Sequence, residues 1–258
     1  MTFFTATHME LLKIRKSKMI WITLAVFTMA PLMAGFFIFV LKNPELAESS
    51  GLIGDKAQIF GVADWPAYLS MLAQIIAVGG ILVFGFVTSW VFGREYADRT
   101  IKDLLTLPSH RMVIILAKFL AVLFTNFLLS VYVILLGVAI GLVIQLPRLS
   151  YEVAMEGGFI LLVTTILTLA LSTLPAFLAC YGRGYLAPIG FILFMVVLAQ
   201  IIAAAGHGEY FPWAVPAIFS GIAGTGPALE IGSFLLVFLI GIVGLGATVS
   251  WWMYADQH

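Results

Sequence analysis

Residues 231–254 read IGSFLLVFLIGIVGLGATVSWWMY, a run with no charged side chain. As a helix rising 1.5 Å per residue it spans about 36 Å, enough to cross a hydrocarbon core of about 30 Å. A membrane strand would alternate apolar and polar positions over about ten residues. FLLVFLIGIVGLG within this run does not alternate, and neither does ILVFGF at 81–86. The run predicts a helix in lipid. Further stretches at approximately 19–41, 67–92, 112–146, 159–180 and 186–205 meet the same length criterion, making six spans with 231–254. The third is long enough to tilt or to run past the membrane.

Composition excludes the alternatives. The 258 residues are 62% hydrophobic and 10% charged, whereas a water-soluble domain carries about 45–50% apolar and about 25% charged residues. A soluble fold of this size has too little interior to hide the excess. Disorder fails on apolar content. A disulfide scaffold fails because Cys180 is the single cysteine, and a globally basic nucleic-acid binder fails because thirteen Lys and Arg face thirteen Asp and Glu. The expected fold is an all-α polytopic membrane protein forming one transmembrane domain over 1–258, since no linker, low-complexity tract or internal repeat divides it.

Lys13, Arg15, Lys16 and Lys18 precede the first span. That span is too long for a signal-peptide core and lacks a small-residue cleavage site, so it reads as a retained helix. Basic residues concentrate on the cytoplasmic side of membrane proteins. With the N-terminus inside, ten Lys and Arg fall on the inner side and three (Lys42, Lys56 and Arg148) on the outer. The acids lean outward, and six spans return the C-terminus to the cytoplasm.

A search for catalytic chemistry returns no G-x-x-x-x-G-K-[ST] phosphate loop, no H-E-x-x-H and no G-x-S-x-G. His8, His110, His207 and His258 lack metal-ligand spacing. The expectation is therefore no catalytic, cofactor or metal site on this chain. Polar groups at membrane depth are costly and informative; here they are Gln74, Asn126, Gln145, Gln200 and Lys118. Amides there usually hold helices together. Lys118, about two turns into the third span, is expected to snorkel to the headgroups. No carboxylate falls clearly inside a span, which disfavours an ion-coupled carrier.

Between spans two and three, residues 93–111 read GREYADRTIKDLLTLPSHR. At 100° per residue, Glu95, Asp98, Arg99, Lys102 and Asp103 share an arc of roughly 140°. Tyr96, Ala97, Thr100, Ile101, Leu104 and Leu105 fill the other side, an amphipathic division. Glu95–Arg99 and Asp98–Lys102 are acid-first i,i+4 pairs. Pro108 stops the helix and Ser109 can cap the next. Periodicity alone fits a solvated interfacial helix and a partner-binding one equally.

The pattern G-R-E-x-x-x-x-T-x-x-x-L-L-T-x-P-x-x-R, followed by Lys118, resembles the permeases of type-2 ATP-binding-cassette (ABC) exporters, in particular the bacitracin-resistance and lantibiotic-immunity group. Tyr210, Phe211, Pro212 and Trp213 before the last span, with Pro216 after them, are similar to that group's F-P-W-x-x-P, and the order of spans and loops matches too. The resemblance implies a half-transporter in the bacterial cytoplasmic membrane. Two copies form the pathway among membrane lipid, and a separate cytoplasmic ATPase supplies ATP and Mg. It makes Glu95, Asp98, Arg99, Thr100, Lys102 and Asp103 the ATPase-coupling helix, and Glu209, Tyr210, Phe211, Pro212, Trp213 and Pro216 an outer gate. The cargo it implies is an amphiphile such as an antimicrobial peptide, moved outward.

Thr7-x-x-Glu10 reads as a capping box opening a helix to about residue 18, either a topogenic basic flank or, by the resemblance, an interfacial helix. Residues 206–230 are too short for two spans and too apolar for a solvated loop. Two re-entrant helices, buried against protein, fit them; Trp213 and Tyr210 fit equally as interface anchors. Pro31, Pro175 and Pro188 are expected to bend their helices, and Gly137-x-x-x-Gly141 to permit close packing. The rival functions are an ATPase-independent channel or secondary carrier, and a non-transporting accessory subunit.

Overall fold

The computed structural model describes residues 2–43, 63–101, 110–221 and 229–254. Helix α1 (Phe3–Lys16) is followed by α2 (Lys18–Lys42), α3 (Trp65–Gln74), a π-helical turn (Ile75–Gly79) and α4 (Gly80–Ala97). Then come α5 (Arg111–Val143), α6 (Tyr151–Leu171), α7 (Leu174–Tyr181) and α8 (Leu186–Ala204). A 3-10 turn (Gly208–Tyr210), α9 (Val215–Phe219) and α10 (Ile231–Tyr254) complete the order. Six helical runs among the described residues are long and apolar enough to cross a membrane: Lys18–Lys42, Trp65–Ala97, Arg111–Val143, Tyr151–Tyr181, Leu186–Ala204 and Ile231–Tyr254. They agree with the six spans read from the sequence.

The second span is the hub. Its window is 61% buried, against 22% for the fifth and 28% for the sixth, so the last two spans turn most of their surface outward. Apolar faces such as Phe194, Val197 and Ile201 of α8 are exposed, as lipid requires. The hub packs on α2, α5, α6, α7 and α8 through Tyr68, Leu72, Ile76, Phe84 and Phe92. A second cluster (Ile81, Leu167, Ile192, Trp213 and Val237) fills the opposite flank. Gly137 and Gly141 do permit a close approach, within the chain: a Cβ on either would lie 2.5 Å from Leu72 or 2.7 Å from Trp65.

Two spans depart from a regular α-helix. Extra backbone in the π turn lets the second pass from α3 to α4 without breaking. The fourth breaks at Ser172–Thr173, whose hydroxyls donate to the freed carbonyls of Leu169 (2.7 Å) and Ala170 (2.9 Å). Pro175 lies in the first turn of α7, where its missing N–H costs nothing. Pro31 lies inside an unbroken α2, and Pro188 in the first turn of α8, so of the three prolines Pro175 alone coincides with a break.

Helix α1 corrects the capping-box reading. The helix starts a turn earlier, capped by Thr2, whose Oγ1 accepts from the Thr5 N–H at 3.4 Å. Thr7 and Glu10 lie inside it, on the buried face with Ala6 and Ile14. This face packs chiefly on α5.

Candidate functional site

The helix crossing the second span continues without interruption to Ala97, so no separate helix begins at residue 94. The chain turns at Asp98–Thr100, with Arg99 in the left-handed region at φ 58°. Ile101 is helical again. Asp98, Arg99 and Thr100 are exposed on this turn; Lys102 and Asp103 lie outside the described residues. Because the helix belongs to the span, Glu95 faces the bundle and is 4% exposed. It is not on a solvated arc, and its expected Arg99 partner is replaced by lysines from elsewhere in the chain.

Lys118 Nζ lies 2.7 Å from Glu95 Oε1 and 3.0 Å from Glu10 Oε2. Lys13 Nζ lies 2.7 Å from Glu10 Oε1 and 3.3 Å from Glu95 Oε1. Two carboxylates and two ammonium groups thus close a neutral set joining α1, α4 and α5. Lys118 is 1% exposed, so the snorkelling expectation is wrong: paired anions replace the water its charge would otherwise need. Burial pushes the Glu10 carboxyl upward, but Lys118 and then Lys13 outweigh it and hold the group below its ordinary 4.5.

Sequence reasoning missed this cluster because each charge was assigned to its own helix face. The available signal was depth. A lysine two turns into a span needs an anion at that depth, and Glu95 and Glu10 flank neighbouring helix ends.

Neighbouring contacts fix the same end of the bundle. Arg111 donates to the Trp252 carbonyl at 3.3 Å, and Trp252 Nε1–H to Cys180 Sγ at 3.2 Å, tying α5, α7 and α10 together. A Cβ on Gly93 would lie 2.7–2.9 Å from Gly184–Tyr185 backbone atoms. The turn after α4 therefore leaves a braced platform.

At the other end, the second set of candidate residues folds back on the bundle. Trp213 is 7% exposed and its ring lies 5.7 Å from Phe191 and 5.6 Å from Phe211. Pro216 is buried in the first turn of α9. Gly208 makes the fold-back possible, since a Cβ there would approach Ile218 to 2.5 Å and the Ala203 backbone to 3.1 Å. Pro212, Phe211 and Glu209 are half-buried and Tyr210 is exposed. Trp213 and Tyr210 thus differ: the first packs within protein and the second faces outward. Of the span amides, Asn126 is buried and donates to the Phe84 carbonyl at 3.4 Å, joining the second and third spans.

Residues 7–199 match the sequence model of a family described as ABC-2 family transporter protein. The chain is also 29% identical over 185 residues to the bacitracin transport permease protein BCRB of Bacillus licheniformis, covering 71% of this chain and 88% of that protein. Six apolar crossings and a match over well over half the sequence lead to one assignment: the chain belongs to the ABC-2 transporter family, as a multi-pass permease subunit of an ABC transporter.

Proposed function

We propose that this permease exports an amphiphilic peptide antibiotic, working as two copies driven by a separate ATPase that binds ATP and Mg. The observation that carries the cargo class is the similarity to a bacitracin transport permease over 88% of that protein's length. Both termini and the turn at Asp98–Thr100 face the cytoplasm of a bacterial cell in this reading, supported by the ten-to-three distribution of basic residues. The ATPase docks on Asp98, Arg99 and Thr100 and on Lys102 and Asp103 beyond them. Glu209–Trp213 and Pro216 form a re-entrant outer gate. The Glu10–Lys118–Glu95 cluster holds the spans beside the docking turn, so a push there reaches the second and third spans together.

The test is growth of a bacitracin-sensitive bacterium expressing this chain together with an ABC ATPase subunit from its own genome. Inhibitory concentration should rise several-fold, and only when the ATPase retains its phosphate-binding lysine. Equal protection by the permease alone would favour an ATPase-independent carrier. No protection against any amphiphilic peptide would sink the cargo assignment.

A further inference from the structure

Where the last loop meets the last span, a groove of ≈ 560 Å³ opens between the 3-10 turn and the outward face of α10. Glu209, Tyr210 and Glu230 stand at its mouth, and Leu235, Phe238, Leu239 and Ile242 line its length. Those four follow i, i+3, i+4, i+7 spacing, so they form one stripe, and each is exposed. From Ser233 to Ile242 the stripe runs about 13 Å along the helix. Its mouth is acidic and its body apolar.

Neither carboxylate has a cation among the described residues. The described Lys and Arg side chains at this end are committed elsewhere, and His207 Nδ1 lies 2.9 Å from the Ala205 carbonyl. Lys42 donates to the carbonyls of Ile144 (2.6 Å) and Gln145 (2.9 Å), and Arg148 to Asp64 (3.1 Å). Glu209, and more weakly Glu230, hold the Tyr210 phenol above its ordinary value, so both acids act on the same exposed hydroxyl. Ser233 lines the groove, is 5% exposed, and its hydroxyl has no hydrogen-bond partner among the described residues. This hydroxyl stands where the acidic mouth and the apolar wall of the groove meet. Net-anionic phospholipids suit this mouth badly, because their charge has the sign of the two carboxylates.

We propose that this groove is a binding subsite for a cationic amphiphile, its ammonium or guanidinium head against Glu209 and Glu230 and its apolar body along the α10 stripe. That such an amphiphile is cargo rests on the exporter reading above; binding itself needs no ATPase. A cation gains from two carboxylates that have no cationic partner among the described residues, and the apolar body gains from leaving water. A neutral molecule of the same shape gains only the second.

The probe is monodansylcadaverine, a primary amine on an apolar ring system, compared with its neutral N-acetyl form. Binding to the purified chain in phosphatidylcholine nanodiscs is read by fluorescence anisotropy. The amine should bind about tenfold more tightly, the scale of one close charge contact. Glu209→Gln with Glu230→Gln should abolish that preference, and Leu239→Asn should weaken both probes alike. Glu152→Gln, which removes one acid elsewhere at the same end, should leave the preference intact. Equal binding of both probes to the wild type, or an unchanged preference in the double variant, overturns the site. So does an equal loss in Glu152→Gln, which would mark general surface charge. A disulfide between copies through Leu239→Cys would show the stripe covered by a second permease and overturn it as well. Absence of ATPase-dependent bacitracin protection in the wild type would instead remove the exporter reading, leaving the anisotropy to decide the groove.

Discussion

Lys118 shows how a single side chain organises one end of the molecule. Buried ion pairs gain little over an apolar packing of the same shape, yet breaking one by removing a partner costs about 3–5 kcal/mol. Lys118→Met leaves Glu10 and Glu95 buried beside Lys13 alone, whose side chain is 34% exposed and screened. The expected outcome is a large drop in the thermal midpoint of the detergent-solubilised protein, measured by light scattering. Adding Glu10→Gln and Glu95→Gln should recover most of it, because no uncompensated carboxylate remains. Lys13→Ala should matter far less than Lys118→Met. The cluster also sets a pH dependence. Glu10 has a folded value below its ordinary 4.5, so its stabilisation is present above about 4.5 and is lost as pH falls through the folded value. Thermal midpoints should hold from about pH 7 to about pH 5 and then fall, with Glu10→Gln lower at neutral pH and lacking this component of the fall. Equal acid sensitivity in both proteins would remove Glu10 as its source.

Packing between elements turns on close approaches that a run of apolar letters does not reveal. The one hydroxyl proton of Thr173, in the break of the fourth span, is shared between the Ala170 carbonyl (2.9 Å) and the Gly241 carbonyl (2.8 Å), bringing α10 against the start of α7. A Cβ on Gly244 would lie 2.6 Å from the Leu174 nitrogen and 2.8 Å from the Thr173 carbonyl carbon, atoms that cannot rotate away. Two residues on, Gly246 has nothing within 4 Å of its Cβ position. Gly244→Leu should therefore cost about 1–3 kcal/mol or more through overpacking, while Gly246→Leu stays near neutral; thermal midpoints of the two compare them directly. The six spans were legible because long uncharged runs admit one solution in lipid. The π turn at Ile75–Gly79 was not, since its residues are as apolar as their neighbours. The partnered face of α1 was hidden for the opposite reason: Thr7 and Glu10 stand on it between Ala6 and Ile14, so ion pairing shares in its burial and no continuous hydrophobic stripe marks it. Trp213 was legible as a candidate but ambiguous in role, because an aromatic at a span end suits both a headgroup anchor and a protein core.

At the scale of the whole molecule, the buried cluster and the exposed turn divide the work that the sequence assigned to one charged helix. Glu95 belongs to the interior, where it braces α4 against α1 and α5; Asp98, three residues later, has a side chain 60% exposed and only a 3.9 Å pair with Arg94. An exposed pair of that kind contributes about 0–1 kcal/mol, so Asp98 can be reversed without harming the fold. Reversing Glu95 would place a third cation beside Lys118 and Lys13, and any lost association would then merely report misfolding. The informative variant is therefore Asp98→Lys with Asp103→Lys, leaving the cluster untouched. If the ATPase docks on this turn, two reversed charges put like against like across the interface, a penalty of several kcal/mol and hence at least about a hundredfold loss of affinity. The expected protein is membrane-inserted, has the wild-type thermal midpoint, and fails to co-purify with its ATPase or to stimulate ATP hydrolysis. Lys118→Met should give the reverse pattern, a lower midpoint with the docking charges still in place. A double variant that binds and stimulates the ATPase normally would move the docking surface off this turn, leaving the cluster as a structural clamp with no mechanical output.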